Sequence, residues 1–139
     1  MSGEPPPVAR EQTRLRWLAA GFWLIAVAFI VYCADRRLLR PLFDFVTAHP
    51  GLDKVGHFVL IGGTAFFLNV ALGLRTWRAV GHSWLLGGTL VAVLFTLEEI
   101  SQLWFPSRSF DLLDLACDYA GIVFFGWLAR RVFGSREQV

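Results

Sequence analysis

Three short stretches of this 139-residue chain carry the side chains that could do chemistry, and they lie far apart in sequence. "DKVGH" holds Asp53, Lys54 and His57, "EEISQ" holds Glu98, Glu99 and Gln102, and "RSFDLLDLACDYAG" holds Arg108, Asp111, Asp114, Asp118 and Gly121. Each is spaced for a helix. Asp53 and His57 are four apart, Glu99 and Gln102 are three apart, and Asp111, Asp114, Asp118 and Gly121 form one stripe along a helix face. A histidine among carboxylates can take up and return a proton, which makes His57, Glu99 and Asp114 the candidate catalytic set, with Asp53 or Asp114 orienting the imidazole. Lys54 with Arg108 suits a phosphate or diphosphate, and Glu99, Gln102 and Asp114 suit sugars or amides. The candidate binding set is Asp53, Lys54, Gln102, Arg108, Asp111 and Asp118. Asp114, Asp118 and Glu99 are also oxygen donors of the kind a divalent cation takes, although the residues alone specify neither a metal nor a cofactor.

These groups stand in apolar surroundings. The chain is 55% apolar and 17% charged, with a mean hydropathy of +0.53, a membrane composition. An ionisable side chain at bilayer depth costs roughly 2.5 to 3.5 kcal/mol even on the lenient insertion scale. Asp118 is the sharpest case, because it lies about 6 Å deeper along its helix than Asp114 and is too short to reach the head groups. It needs a proton or an internal partner, for which His57, Lys54 and Arg108 are the candidates.

Four apolar runs must position these residues: Trp17 to Ala34, Val55 to Leu74, Trp84 to Leu97 with continuation towards Phe105, and Leu112 to Val132. At about 1.5 Å per residue each can cross a core of about 30 Å, the third only if it continues past Glu98 and Glu99. The expected fold is therefore all-α, an integral membrane bundle of four transmembrane helices. The first run is read as a retained span because no small-residue cleavage pattern follows it. Lys and Arg divide eight to five in favour of the side holding both termini, so the termini are expected in the cytoplasm. Eight of the eleven carboxylates then fall on the outer side, so the chemistry faces out.

The expected organisation is an unfolded cytoplasmic leader over residues 1–15, a membrane domain over 16–133 and a short tail over 134–139. Between the first two spans, Leu38, Leu39, Leu42, Phe43 and Val46 fall at helical spacing around Pro41. This reads either as a broken interfacial helix or as a plain connector. Asp53, after Pro50 and Gly51, stands where a helix N-cap belongs. Gly62, Gly63, Ala65, Gly87 and Gly88 offer small faces for close helix packing. Five tryptophans sit near span boundaries as an aromatic belt would. Cys33 and Cys117 read as packing residues. With a net charge of +2 and no basic stripe outside the spans, nucleic acid is not an expected partner.

Taken in order, "DKVGHFVLIGGTAFFL" and "EISQLWFPSRSFDLLDLACDYAG" resemble the VanZ-like family of small multi-pass membrane proteins, some of them linked to low-level teicoplanin resistance. The resemblance covers about residues 53 to 126. It maps the family's motif residues onto Asp53, Lys54 and His57, onto Glu99 and Gln102, and onto Arg108, Asp114 and Gly121. Asp118 departs from the pattern, standing where the family usually has Asn. The resemblance implies a multi-pass protein of the bacterial cytoplasmic membrane that acts in the cell envelope, and it implies no settled reaction.

Three readings of the polar groups remain open at this point. The first is an outward-facing site for an envelope lipid, whether a phospholipid head group or a lipid-linked cell-wall intermediate, with an effect on glycopeptide sensitivity. The second is an enzyme that modifies such a head group by His and carboxylate acid-base or metal-assisted chemistry. In the third, the same groups only tie helices together.

Overall fold

A computed structural model describes residues 7–36, 38–49, 51–101 and 112–134. Apart from one two-stranded hairpin, it is helical: α1 (Pro7–Asp35), α2 (Arg40–Ala48), α3 (Leu52–Ala71), β1 (Thr76–Ala79), β2 (His82–Leu85), α4 (Leu86–Ser101) and α5 (Leu112–Phe133). Among the described residues, three helices are long and apolar enough to cross a bilayer, over Val8–Cys33, Leu52–Ala71 and Leu112–Phe133. The 16 described residues of α4 rise about 24 Å, and the expected continuation of this run towards Phe105 lies outside the described residues.

Helix α3 is the centre of the bundle. Of its most apolar window 44% is buried, against 6% for α1, which leans on α3 and leaves most of its apolar surface uncovered. The core is small, with Ile61 and Ala65 of α3 meeting Val91 of α4 and Ile122 of α5. Small residues let the backbones approach. A side chain on Gly62 would run into Phe125 and the Gly121 carbonyl, and one on Gly121 would run into the Phe58 carbonyl. Gly63 leaves room for the Trp23 ring of α1, whose Nε1 donates to Thr64 Oγ1 at 3.1 Å while the ring stacks on Phe67. The glycines expected to pack helices do so, which is how helices associate where lipid offers no hydrophobic drive.

The contacts set the directions. Lys54 and Phe58 of α3 meet Asp114 and Gly121 of α5, so these two helices start at the same end and run parallel. Helix α4 runs back alongside them, with Gly87 against Asn69 at one end and Glu99 lining the same cavity as Asp53 of α3 and Asp114 of α5 at the other.

Several local expectations are corrected. Residues 7–15, expected to be unfolded, form the first turns of α1, because Pro7 stands at its first position, where the missing N–H costs nothing. Pro41 falls in the first turn of α2, just after Arg40, and does not break it. Asp53 lies inside the first turn of α3, and Gly51 at φ +97° is the N-cap. The third apolar run becomes helical only at Leu86, because "TWRAVGHSWL" pairs with itself, Trp77 opposite Trp84. Val80 and Gly81 at its tip both have positive φ, the type I′ pattern that matches strand twist. Helix α3 ends in a Schellman motif, with Leu74 N–H donating to Asn69 O and Gly73 N–H to Val70 O. The hairpin is then closed by Leu86 N–H on Arg75 O at 2.8 Å.

Candidate functional site

The parallel run of α3 and α5 brings two of the three sequence clusters face to face. Lys54 and His57 are one turn apart on α3, and Asp114 and Asp118 are one turn apart on α5, so the four side chains meet as two rungs. In the outer rung Lys54 Nζ donates to Asp114 Oδ1 and lies 3.3 Å from Asp53 Oδ2. In the inner rung His57 Nδ1 lies 3.1 Å from Asp118 Oδ1. The other ring nitrogen, Nε2, points towards Asp114 Oδ2 at 3.9 Å, beyond hydrogen-bond range. One turn further in, the polar contacts stop and Gly121 meets the Phe58 backbone directly. Where the side chains are long and charged they bridge the helices, and where they are absent the helices touch.

Asp118, with 5% of its side chain exposed, thus finds its partner in His57, the first of the three candidates. His57 itself remains 39% exposed. It opens into a cavity of about 940 Å³. The polar floor of that cavity is Asp53, His57, Glu98, Glu99, Asp114 and Asp118. Its walls are apolar and mostly aliphatic, with Val27 and Ile30 from α1, Leu42 and Val46 from α2 and Leu60 from α3, and with Phe29 and Phe95 among them. Helix α2 therefore closes one side. Its apolar residues at helical spacing are visible in the sequence, but nothing there joins them to the charged groups.

Glu99, 5% exposed, and its more exposed neighbour Glu98 arrive from α4 on the opposite side of the same cavity. The structure so brings together six of the nine residues singled out from the sequence: Asp53, Lys54, His57, Glu99, Asp114 and Asp118. Gln102, Arg108 and Asp111 lie outside the described residues. Of the two residues expected to orient His57, Asp53 turns to Lys54 and Asp114 faces Nε2 only at 3.9 Å, while Asp118 holds Nδ1. Among the described residues no group of three or more His, Cys, Asp and Glu side chains is arranged to hold a metal ion. The oxygen set of Asp114, Asp118 and Glu99 is not assembled, since the two aspartates close on Lys54 and His57.

Chemically the floor is rich in acceptors. Among the described residues, five carboxylates, Asp53, Glu98, Glu99, Asp114 and Asp118, line the cavity together with His57, and Lys54 pairs with Asp53 and Asp114 beside it. Such a surface accepts hydrogen bonds from hydroxyl, amide and ammonium groups, while the walls accept a chain. Comparisons of the chain with protein-family models, with curated proteins and with solved structures find no match.

Proposed function

We propose that the protein crosses the bacterial cytoplasmic membrane four times, with both termini in the cytoplasm, and that the cavity between α1, α2, α3, α4 and α5 is an outward-facing site for the head group of an envelope lipid or a lipid-linked cell-wall intermediate. The observation that carries this reading is an acceptor-rich floor, braced by the Lys54–Asp114 and His57–Asp118 rungs, under apolar walls. A polar floor with apolar walls suits an amphiphile. The carboxylates that line the floor suit a donor-rich head such as sugar hydroxyls or an amine, with Lys54 and Arg108 as the cations for a phosphate. The fourth crossing is supported by direction: α3 and α5 start at one end, so a chain that crosses in both must return between them, and α4 is the returning segment. The Arg and Lys excess on the hairpin side supports cytoplasmic termini. The VanZ-like resemblance of the motifs supports an envelope role and an effect on teicoplanin sensitivity.

A second reading has its own observation. His57 is held with one ring nitrogen on Asp118 and the other facing Asp114, an arrangement that can pass a proton to or from a bound head group. One experiment separates the two readings. Envelope lipid extract is presented to purified protein, with and without divalent metal, and both retention and turnover are followed, with Asp114→Asn as the comparison. Saturable retention that weakens about tenfold in Asp114→Asn, on the scale of a lost charge-assisted hydrogen bond, is expected. Failure of the wild-type protein to retain any lipid saturably sinks the binding reading. Turnover that disappears in His57→Ala establishes the enzymatic one.

A further inference from the structure

At the opposite end of the bundle, Asn69 is 1% exposed, and its side chain is satisfied on one atom only. Oδ1 accepts the Gly88 N–H at 2.9 Å, which fixes the amide's orientation. Nδ2 has no hydrogen-bond partner among the described residues. It lies between Gly88 and Gly126, whose missing side chains would come within 3.6 and 3.9 Å of it. Both glycines line a groove of about 590 Å³ between α4, α5 and the β1–β2 hairpin, and Asn69 lines it too. A buried donor without an acceptor is costly in hydrocarbon, where no water can take its place.

The rest of the groove has a direction. Arg130 stands one helical turn beyond Gly126, about 6 Å nearer the end of α5. One of its guanidinium N–H groups donates to Ser83 O at 3.2 Å, and an arginine carries five such donors. Inward from Gly126 the lining is apolar, through Val123 and Ile122 to Tyr119, so the groove follows roughly 16 Å of α5, about the depth of one leaflet's hydrocarbon. Trp77, Trp84 and Trp127 flank the outer part, at the level where aromatic side chains meet a membrane interface. Charge is one-sided here. Residues 69–90 and 123–134 include Arg75, Arg78, Arg130 and Arg131 and no carboxylate.

We propose that this groove binds one anionic diacyl phospholipid of the leaflet at that end: its phosphate on Arg130, an ester carbonyl accepting from Asn69 Nδ2, and an acyl chain along Ile122 and Val123. From the interface inwards a phospholipid presents phosphate, ester carbonyl and chain. Arg130, Asn69 and the apolar stretch stand in the same order. The inference rests on the bilayer reading alone and is independent of what the cavity around His57 binds.

The test titrates the purified full chain in detergent with dioleoylphosphatidylglycerol or dioleoylphosphatidylcholine and counts adducts by native mass spectrometry. The adduct assigned to this groove is the saturable phosphatidylglycerol that persists in His57→Ala and is lost in Val123→Trp, and it is expected to bind about tenfold more tightly than phosphatidylcholine. Arg130→Gln should erase that preference. Asn69→Leu should weaken both lipids about threefold to tenfold, the scale of one hydrogen bond. Because Asn69 also holds the Gly88 N–H, Val123→Trp provides a second probe that fills the groove without touching the amide, and it should abolish the adduct assigned to the groove. His57→Ala, at the other end, should leave it intact. A graded, non-saturating series of adducts in the wild-type protein would mean annular lipid only and overturn the proposal. So would an unchanged preference in Arg130→Gln or an unchanged adduct in Val123→Trp.

Discussion

Replacing both members of the inner rung with leucine isolates what that rung contributes. Asp118 has 5% of its side chain exposed and His57 has 39%, and they meet at 3.1 Å. His57→Leu strands a carboxylate in a nearly closed space, whereas Asp118→Leu strands an imidazole that still opens into the cavity. The first single substitution should therefore cost more. In water-soluble proteins, breaking a buried pair from one side costs about 3 to 5 kcal/mol, and replacing both partners with apolar groups is often neutral. Interhelical polar contacts in membranes are weaker, averaging about 0.6 and reaching about 1.7 kcal/mol. A charge-assisted contact as enclosed as this one belongs near the upper limit, so we expect about 2 kcal/mol for His57→Leu, about 1 for Asp118→Leu, and a coupling of about 1.5. The double variant should then lie within about 1.5 kcal/mol of the wild-type protein. Reversible unfolding by sodium dodecyl sulfate in mixed micelles, followed by tryptophan fluorescence, measures all four corners of the cycle. A double variant that costs the plain sum of the two singles would refute the rung as an interacting unit.

Two further outcomes follow from the packing and the hairpin. Gly121→Val places a branched side chain against the Phe58 carbonyl, and α3 and α5 must separate at their closest point. A loss of about 1 to 3 kcal/mol is expected in the same unfolding assay, and an unchanged midpoint would show that the helices do not meet there. Val80, 94% exposed with φ at +50°, is a β-branched residue held in the left-handed region. Val80→Asn creates the Asn-Gly pair favoured in type I′ turns and should stabilise by about 1 kcal/mol, read as a raised thermal midpoint by circular dichroism.

Much of the helical content is legible in the amino-acid sequence alone. Long apolar runs mark α1, α3 and α5, since few other arrangements accommodate so many consecutive apolar residues. The small faces of Gly62, Gly63, Gly87 and Gly88 are equally readable, because glycine within an apolar helix implies a close neighbour. The hairpin is not. Its tryptophans read as span boundary, and alternation over four residues per strand is too short to stand out from a neighbouring apolar helix. Asp53 misleads as a cap because Gly51, with no side chain, takes the left-handed position before it.

For the candidate site, spacing alone puts Asp114, Asp118 and Gly121 on one face and Lys54 within a turn of His57, since helical periodicity is a property of the chain. Which carboxylate meets which cation is decided only by the relative direction and register of α3 and α5. Gly62 and Gly121 set that register by letting the backbones touch. The apolar walls from α1 and α2, the approach of Glu99 from α4 and the half-satisfied Asn69 likewise exist only once helices distant in sequence are packed together. A local pattern states which groups share a face, and only close packing between helices states what that face meets.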